Sequence, residues 1–507
     1  MFGFYFKLGK KSIVRLLAVL FFCSAFLANS VGAKTPNDPK FYLQEAYYNQ
    51  IGAPLAWEHT TGNSSVVVAV IDTGVDIFNN DLINNIWQNP REIGGNNIDD
   101  DNNGFIDDTR GWNFVEDNNS VNIPTILQSD DSGAVNHGTV LAGVIGEEGN
   151  NGLNGTGLNW SVKIMPLRAL NSGGGGSLGN VAKAVNYAVN QGASIISLSF
   201  VGQNKDIDLT EALHNAYKRN VLVVVAAGNS RNDTTGNENL TKVKQYPICL
   251  DAESSDNWIL GVGSVDREDR LSEFADYGSC IDISAPGEAF FSTQKHSPAD
   301  GYNKEFGGAW YGTSFSAPLV AGSAALIKSI QPNWGAKEIM DVLLKTADDV
   351  DLLNPGFAGQ MGYGRLNIGK AVLKAKEVKI TPPAPAVVMT IKIIKKPKNY
   401  VAQILADGKV VRSINLVDYF PKSSKWFFKD GLFVHARIGK NRIIVDVWDL
   451  SGVKKLSNLI LPGFSGIASV KIEYLWGQGA NPVVFGVKGK TSQKIIIDVS
   501  SGSWKTE

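Results

Sequence analysis

The feature that most limits the possible folds is the run Val66-Val67-Val68-Ala69-Val70-Ile71, which no polar residue interrupts and which ends in Asp72-Thr73-Gly74. A strand with one wet face alternates apolar and polar residues, so an unbroken run reads as a strand buried on both faces. A carboxylate at its C-terminal end stands where open α/β sheets place their sites. Similar runs follow at Ile164 to Leu170, Ser194 to Phe200, Val221 to Ala227, Trp258 to Val265 and Cys280 to Ala285. Helical patterns separate them at Val181 to Gln191 and Leu209 to Asn220, with further helices expected from Ser314 and over Lys337 to Thr346. This alternation predicts an α/β fold, a mainly parallel sheet between helices. Residues 37–65, with Tyr42, Tyr47, Tyr48 and Trp57, read as one or two helices packed on the outside.

The other segments differ in kind. Residues 1–33 carry Lys7, Lys10, Lys11 and Arg15, no acid, an apolar run from Leu16 to Ala28, and Val31-Gly32-Ala33. That is the pattern of an export signal cleaved after about Ala33, and an uncleaved N-terminal anchor is the alternative. The α/β domain is expected over 34–376, a proline-rich linker (Thr381-Pro382-Pro383-Ala384-Pro385) over 377–386, and a smaller all-β domain over 387–507. In the last segment Ala406-Asp407-Gly408, Leu450-Ser451-Gly452 and Ser500-Ser501-Gly502 hint at a weak repeat of the propeller kind. With 48 basic against 49 acidic residues, the net charge implies no nucleic-acid or anionic-membrane partner. No later run is long enough to span a bilayer, so no stable membrane insertion is expected once the signal is removed, and the location is secreted or cell-surface. Cys249 and Cys280 flank strand-like segments; they form a disulfide in an oxidising compartment or stay as separate buried thiols.

Chemistry is suggested by Gly312-Thr313-Ser314-Phe315-Ser316-Ala317-Pro318, a turn that leads into a small-residue, apolar helix with Pro318 expected in its first turn. A hydroxyl there is either a helix N-cap or a nucleophile at the positive helix end. A nucleophilic serine needs a base and a carboxylate to orient that base. Of the five histidines, His137 alone stands between a polar loop and a small-residue helix, in Asn136-His137-Gly138-Thr139 with Ala142-Gly143.

With the blocks around Asp72, His137 and Ser314 in this order, the chain resembles the subtilisin-like serine peptidases (subtilases) over about residues 40–376. The resemblance implies an Asp-His-Ser triad that hydrolyses peptide bonds through an acyl-enzyme. Ser314 is then the nucleophile, His137 the base and then the acid, and Asp72 the orienting carboxylate. It also implies that Asn229, in Ala226-Ala227-Gly228-Asn229, donates to the oxyanion, and that the substrate is a polypeptide added as a strand between two backbone edges. One edge is Leu170 to Gly176 with Gly173 and Gly174; the other is Ser199-Phe200-Val201-Gly202; Ala226 and Gly228 are counted among the substrate-binding residues as well. Val201 departs from the glycine usual in the family and narrows the pocket before the scissile bond. Phe315-Ser316 departs from the common Met-Ala without threatening the chemistry. Many secreted relatives carry an inhibitory folding segment before the catalytic domain; here residues 34–65 look like the catalytic domain's own beginning.

Structural calcium is expected, and no catalytic cofactor. Asp99, Asp101, Asn103 and the Phe105 carbonyl, with Asp107 or Asp108, follow calcium-loop spacing, although Arg110 stands where an EF-hand has glutamate. A solvated acidic loop is the alternative. Asp81 matches a family position that often ligates another calcium, with a loosely matching partner loop near Asn150 and Asn151. Beside the endopeptidase reading stand a surface-binding protein on a degenerate peptidase scaffold and a transpeptidase using the same acyl-enzyme.

Overall fold

The structure, a computed structural model, describes residues 34–123, 132–230 and 237–378, and beyond them the backbone of the strands from Met389–Lys395 to Ser503–Thr506. The expected export signal and the linker from residue 379 lie outside the described residues. The chain divides into two units, Met1–Lys379 and Ile380–Glu507.

In the first unit a seven-stranded sheet runs in the order β2-β3-β1-β4-β5-β6-β7. The strands are β1 (Gly62–Asp72), β2 (Trp112–Asn113), β3 (Ser161–Arg168), β4 (Ile195–Leu198), β5 (Leu222–Ala226), β6 (Leu260–Val265) and β7 (Ile283–Pro286). All neighbouring pairs are parallel. The helices are α1 (Glu45–Gln50), α2 (Ala53–Trp57), α3 (Ser132–Gly146), α4 (Leu178–Asn190), α5 (Ile207–Lys218), α6 (Thr313–Ile330), α7 (Ala336–Thr346) and α8 (Ile368–Glu377). A separate hairpin, β8 (Phe290–Thr293) with β9 (Phe306–Trp310), packs through β8 on α3.

The unbroken apolar run of β1 has its cause in two core layers. Val68 and Val70 join the layer built with α3 and α6, while Ala69 and Ile71 join the layer built with α4 and α5. Neither face meets water, so no polar residue is called for. The small residues of α6 have a similar reason. Buried from Phe315 to Ile327, α6 crosses β1, β4, β5, β6 and β7, and Asn159 Nδ2 donates to Gly322 O at 2.9 Å.

Each expected strand is present with its ends displaced by a few residues, but one expectation, the place of Pro318, needs correcting. Residues 45–57 form two short helices, as expected, that expose Glu45, Ala46, Asn49 and Leu55 and turn their aromatics inward. Tyr47, Tyr48 and Trp57 are buried in the core, and only Tyr42 of the four aromatics is exposed. Their polar tips are satisfied internally: Trp57 Nε1 donates to Leu158 O and Tyr48 Oη to Thr156 O, both at 2.8 Å. Pro318 lies inside α6, not in its first turn. Its missing N–H frees the carbonyl of Ser314, four residues back, and Ser199 Oγ donates to that carbonyl at 3.0 Å instead.

In the second unit, consecutive antiparallel strands form three sheets: β10 to β12, from Met389–Lys395 to Lys409–Leu416; β13 to β16, from Ser424–Lys429 to Lys454–Pro462; and β17 to β20, from Gly466–Leu475 to Ser503–Thr506. Each Asx/Ser-Gly signal singled out above falls between the last two strands of one sheet.

Candidate active site

Asp72 is the last residue of β1. Its Oδ1 accepts from Thr73 N at 2.8 Å and Thr73 Oγ1 at 3.1 Å, and lies 2.8 Å from His137 Nδ1. A carboxylate can only accept here, so His137 carries a proton on Nδ1 and turns Nε2 away from Asp72. Asp72 is wholly buried, whereas the His137 side chain keeps 23% exposure. The approach of α3 to β1 depends on Gly138: a β-carbon there would fall 2.2 Å from Gly74 O and 3.3 Å from Asp72 Cβ. Burial works against an imidazolium at His137, but the charge and hydrogen bond of Asp72 outweigh it and hold the histidine above its usual pKa.

Ser314 is the second residue of α6, behind Gly312, whose φ of +146° disfavours any other residue. Its hydroxyl donates to Ser199 O at 3.2 Å, so with the Ser199 bond above the two serines are tied in both directions. The ring of Phe315 lies 6.1 Å from the His137 ring and 5.8 Å from Phe290, which stacks on Tyr47 at 4.2 Å. A line of aromatic contacts thus joins the N-terminal arm to the histidine.

Asn229 follows β5. Its Oδ1 accepts from Thr313 N at 2.9 Å and from Thr313 Oγ1 at 3.1 Å. A backbone N–H can only donate, so the amide oxygen must face Thr313 and the NH₂ must face away. Asp276 brackets the same residue. Its N–H donates to Gly228 O at 3.1 Å, and its carboxylate accepts from Ser230 N at 3.2 Å and Ser230 Oγ at 2.8 Å. Asp72 with His137, and Ser314 with Ser199, Thr313 and Asn229, therefore form two linked groups, joined through Phe315 and His137.

The expected backbone edges start at these groups. Ala169 N and Leu170 N donate to Asp72 O at 3.0 and 3.1 Å, and Leu170 bridges Gly176 across the loop that holds Gly173 and Gly174. Phe200 and Val201 are half-buried against the α4–α5 core layer. Ala226 and Gly228 lead into Asn229 from the neighbouring strand, and Gly228 N donates to Thr313 Oγ1 at 3.0 Å.

A family model described as the subtilase family matches residues 63–364. The chain belongs to this family. Thermophilic serine proteinase of Bacillus sp. (strain AK1) is 31% identical over 340 residues, 67% of this chain and 70% of its own length. Thermitase of Thermoactinomyces vulgaris is 31% identical, over 67% of this chain and 99% of its own. A solved structure of proteases from Pseudoalteromonas arctica PAMC 21717 aligns with a TM-score of 0.53 at 27% identity, over 68% of this chain and 100% of that one. This subtilase is accordingly a serine-type peptidase acting on polypeptides, and none of its described helices is long and apolar enough to cross a membrane.

The expected metal residues of this subtilase fall into two places. In the acidic loop, Asp99 and Asp101 come together with Glu92, which the spacing did not single out; one oxygen of each lies within 4.8 Å of the others. Glu92 Oε2 is buried with no protein donor, while Arg91 Nε pairs with Asp101 at 3.1 Å. Asn103 and Asp108 face one another, Asn103 Nδ2 donating to Asp108 at 2.9 Å. Asp108 also accepts from Asn89 at 2.8 Å and Tyr187 Oη at 2.5 Å; burial, against these hydrogen bonds, pushes it up to about 6. The Phe105 ring is held edge-on by Trp112, Phe114 and Tyr187. The second place is deeper. Asp81 accepts from Asn151 Nδ2 at 2.6 Å, and Asp38 accepts the N–H groups of Asn150, Asn151 and Gly152 at 2.6 to 3.0 Å. Asp81 Oδ2 and Glu147 Oε2 are both buried and unpartnered. Burial first, and then the Asp81 charge, push Glu147 well above the usual carboxylate range. Unpartnered carboxylate oxygens gathered this way fit a hard, oxygen-seeking cation.

Thr313, Asp276, Glu92, Asp38 and Glu147 were not legible as site residues. Thr313 was in view as part of Gly312-Thr313-Ser314, but nothing in that motif says that its backbone N–H sets an amide across the cleft. Cys249 and Cys280 are joined as a disulfide.

Proposed function

We propose that this subtilase is a secreted, calcium-stabilised serine endopeptidase with Asp72, His137 and Ser314 as its triad. The observation that carries the reading is the 2.8 Å Asp72–His137 bond, which directs the free imidazole nitrogen away from the carboxylate. Ser314 stands at the start of a buried helix, one residue from Phe315, whose ring meets that imidazole. For reaction the Ser314 hydroxyl passes its hydrogen bond from Ser199 O to His137 Nε2. His137 takes the proton as Oγ bonds to the peptide carbonyl carbon, and Asp72 stabilises the imidazolium. The carbonyl oxygen becomes an oxyanion, received by the Asn229 NH₂ and the Ser314 N–H at the positive helix end. Collapse breaks the C–N bond, His137 gives its proton to the leaving amine, and an acyl-Ser314 ester remains. Water, deprotonated by His137, then releases the acid and restores Ser314.

A substrate strand is expected between the edges that begin at Ala169–Leu170 and at Ser199, which suits cleavage within a chain. Calcium, when bound, supplies positive charge that holds loops in place. Glu92, Asp99 and Asp101 would hold one ion, and Asp81 with Glu147 and Asp38 another. Export through residues 1–33 agrees with the Cys249–Cys280 disulfide, a bond of oxidising compartments. The test is labelling by a fluorophosphonate probe together with casein clearing. Wild type should do both and Ser314→Ala neither; equal labelling of the two would remove Ser314 as nucleophile.

A further inference from the structure

β4 and β5 lie side by side, with Leu198 opposite Val225, and the chain continues beyond both at the same end of the sheet. One continuation holds Ser199, tied to Ser314; the other holds Gly228 and Asn229. A carbonyl gripped between Ser314 Oγ and the Asn229 amide therefore lies across the gap between the continuations. The side chain of the residue that owns this carbonyl has that gap as its way in.

Val201 stands in the gap. Its Cγ2 is 3.1 Å from where a β-carbon on Gly228 would be, so its isopropyl group reaches from one wall to the other. Neither wall is free to retreat. Just past Val201, Gly202 exchanges two backbone hydrogen bonds with Tyr246, each 2.8 Å. Opposite, Gly228 is held by the Asp276 N–H at 3.1 Å and by Thr313 Oγ1 at 3.0 Å. Shifting the Gly228 wall would also disturb Thr313, which orients Asn229.

We infer that Val201 makes this a peptidase for segments with a small residue, glycine, alanine or serine, on the acyl side of the cleaved bond. The inference rests on the peptidase reading above and adds to it the substrate class. A large side chain would have to displace that isopropyl group.

The test uses the full chain and a series of chromogenic peptides that differ only in the residue before the scissile bond: glycine, alanine, leucine and phenylalanine. In wild type, kcat/KM for alanine should exceed that for phenylalanine by at least about tenfold. Val201→Gly should raise the phenylalanine-to-alanine ratio by about tenfold or more, and Val201→Ala, a milder change, should raise it by less in the same direction. Fluorophosphonate labelling reports whether each variant is folded and competent. If labelled wild type cleaves phenylalanine as well as alanine, or if both labelled variants keep the wild-type ratio, the inference is overturned and the peptidase reading stands. If wild type is neither labelled nor active on any peptide, both fall together.

Discussion

Asn229 offers the sharpest quantitative test, because its orientation follows from what a backbone N–H can do. Thr313 N and Thr313 Oγ1 hold Asn229 Oδ1 at 2.9 and 3.1 Å, which leaves the NH₂ free to meet an oxyanion. Asn229→Ala removes that donor, and loss of one such donor lowers kcat about 10²–10³-fold, or about 2.7–4 kcal/mol of transition-state stabilisation. It also takes the acceptor from a part-buried N–H, so a stability loss of about 1–3 kcal/mol is expected as a separate effect. Asn229→Asp separates the two. It keeps an oxygen for Thr313 but replaces the NH₂ with a charged oxygen facing the oxyanion, so kcat should fall at least as far as in Asn229→Ala while stability changes less. The assay is steady-state hydrolysis of one chromogenic peptide, with active sites counted by fluorophosphonate titration and thermal unfolding measured alongside. KM should change little, because the bond is made in the transition state. If both variants keep kcat within about threefold of wild type, the amide does not face the reacting carbonyl and the oxyanion assignment is wrong.

Further outcomes are expected. His137 acts as a base only when neutral and its pKa is raised, so kcat/KM should fall as pH drops through that raised value. Asp72→Asn should shift the acidic limb to lower pH and cut kcat by as much as about 10⁴-fold; an unshifted limb would contradict the pairing. The same pair adds stability that is fully present below the usual histidine pKa of about 6.5 and is lost as pH rises through the raised value. Chelation should lower the unfolding temperature, since an ion at 100 times its Kd contributes about 2.7 kcal/mol. Asp81→Asn with Glu147→Gln should blunt that response, and an unchanged response would exclude the deeper site. The Cys249–Cys280 link spans a sequence separation of 31, for which chain entropy gives about 3–4 kcal/mol. Replacing both cysteines with serine should lower the unfolding temperature by several degrees, and no change would mean that the bond does not form in solution.

Much of the fold was legible because the signals are local. The run ending at Asp72 requires a strand with two apolar faces, and the two core layers supply them. The blocks around His137 and Ser314 could be read because Gly138 and Gly312 sit where only glycine serves, one for a close approach and one for a positive φ. Residues 41–57 were legible as helices, but aromatic content does not say which partners their buried face meets in a core built from residues a hundred positions away. Pro318 was misplaced because the partner that makes an interior proline tolerable, Ser199, lies on another strand.

The amino-acid pattern by itself determined the class of fold and the family, and singled out the residues proposed for acyl transfer, because periodicity and short motifs are set by neighbours in the chain. Only the tertiary structure decided which groups hold them: Thr313 and Asp276 around Asn229, Glu92 beside Asp99 and Asp101, Glu147 beside Asp81, and Val201 against Gly228. Those relations depend on distances between segments far apart in sequence. They are fixed by the packing of strand ends against helix ends, which no local pattern encodes.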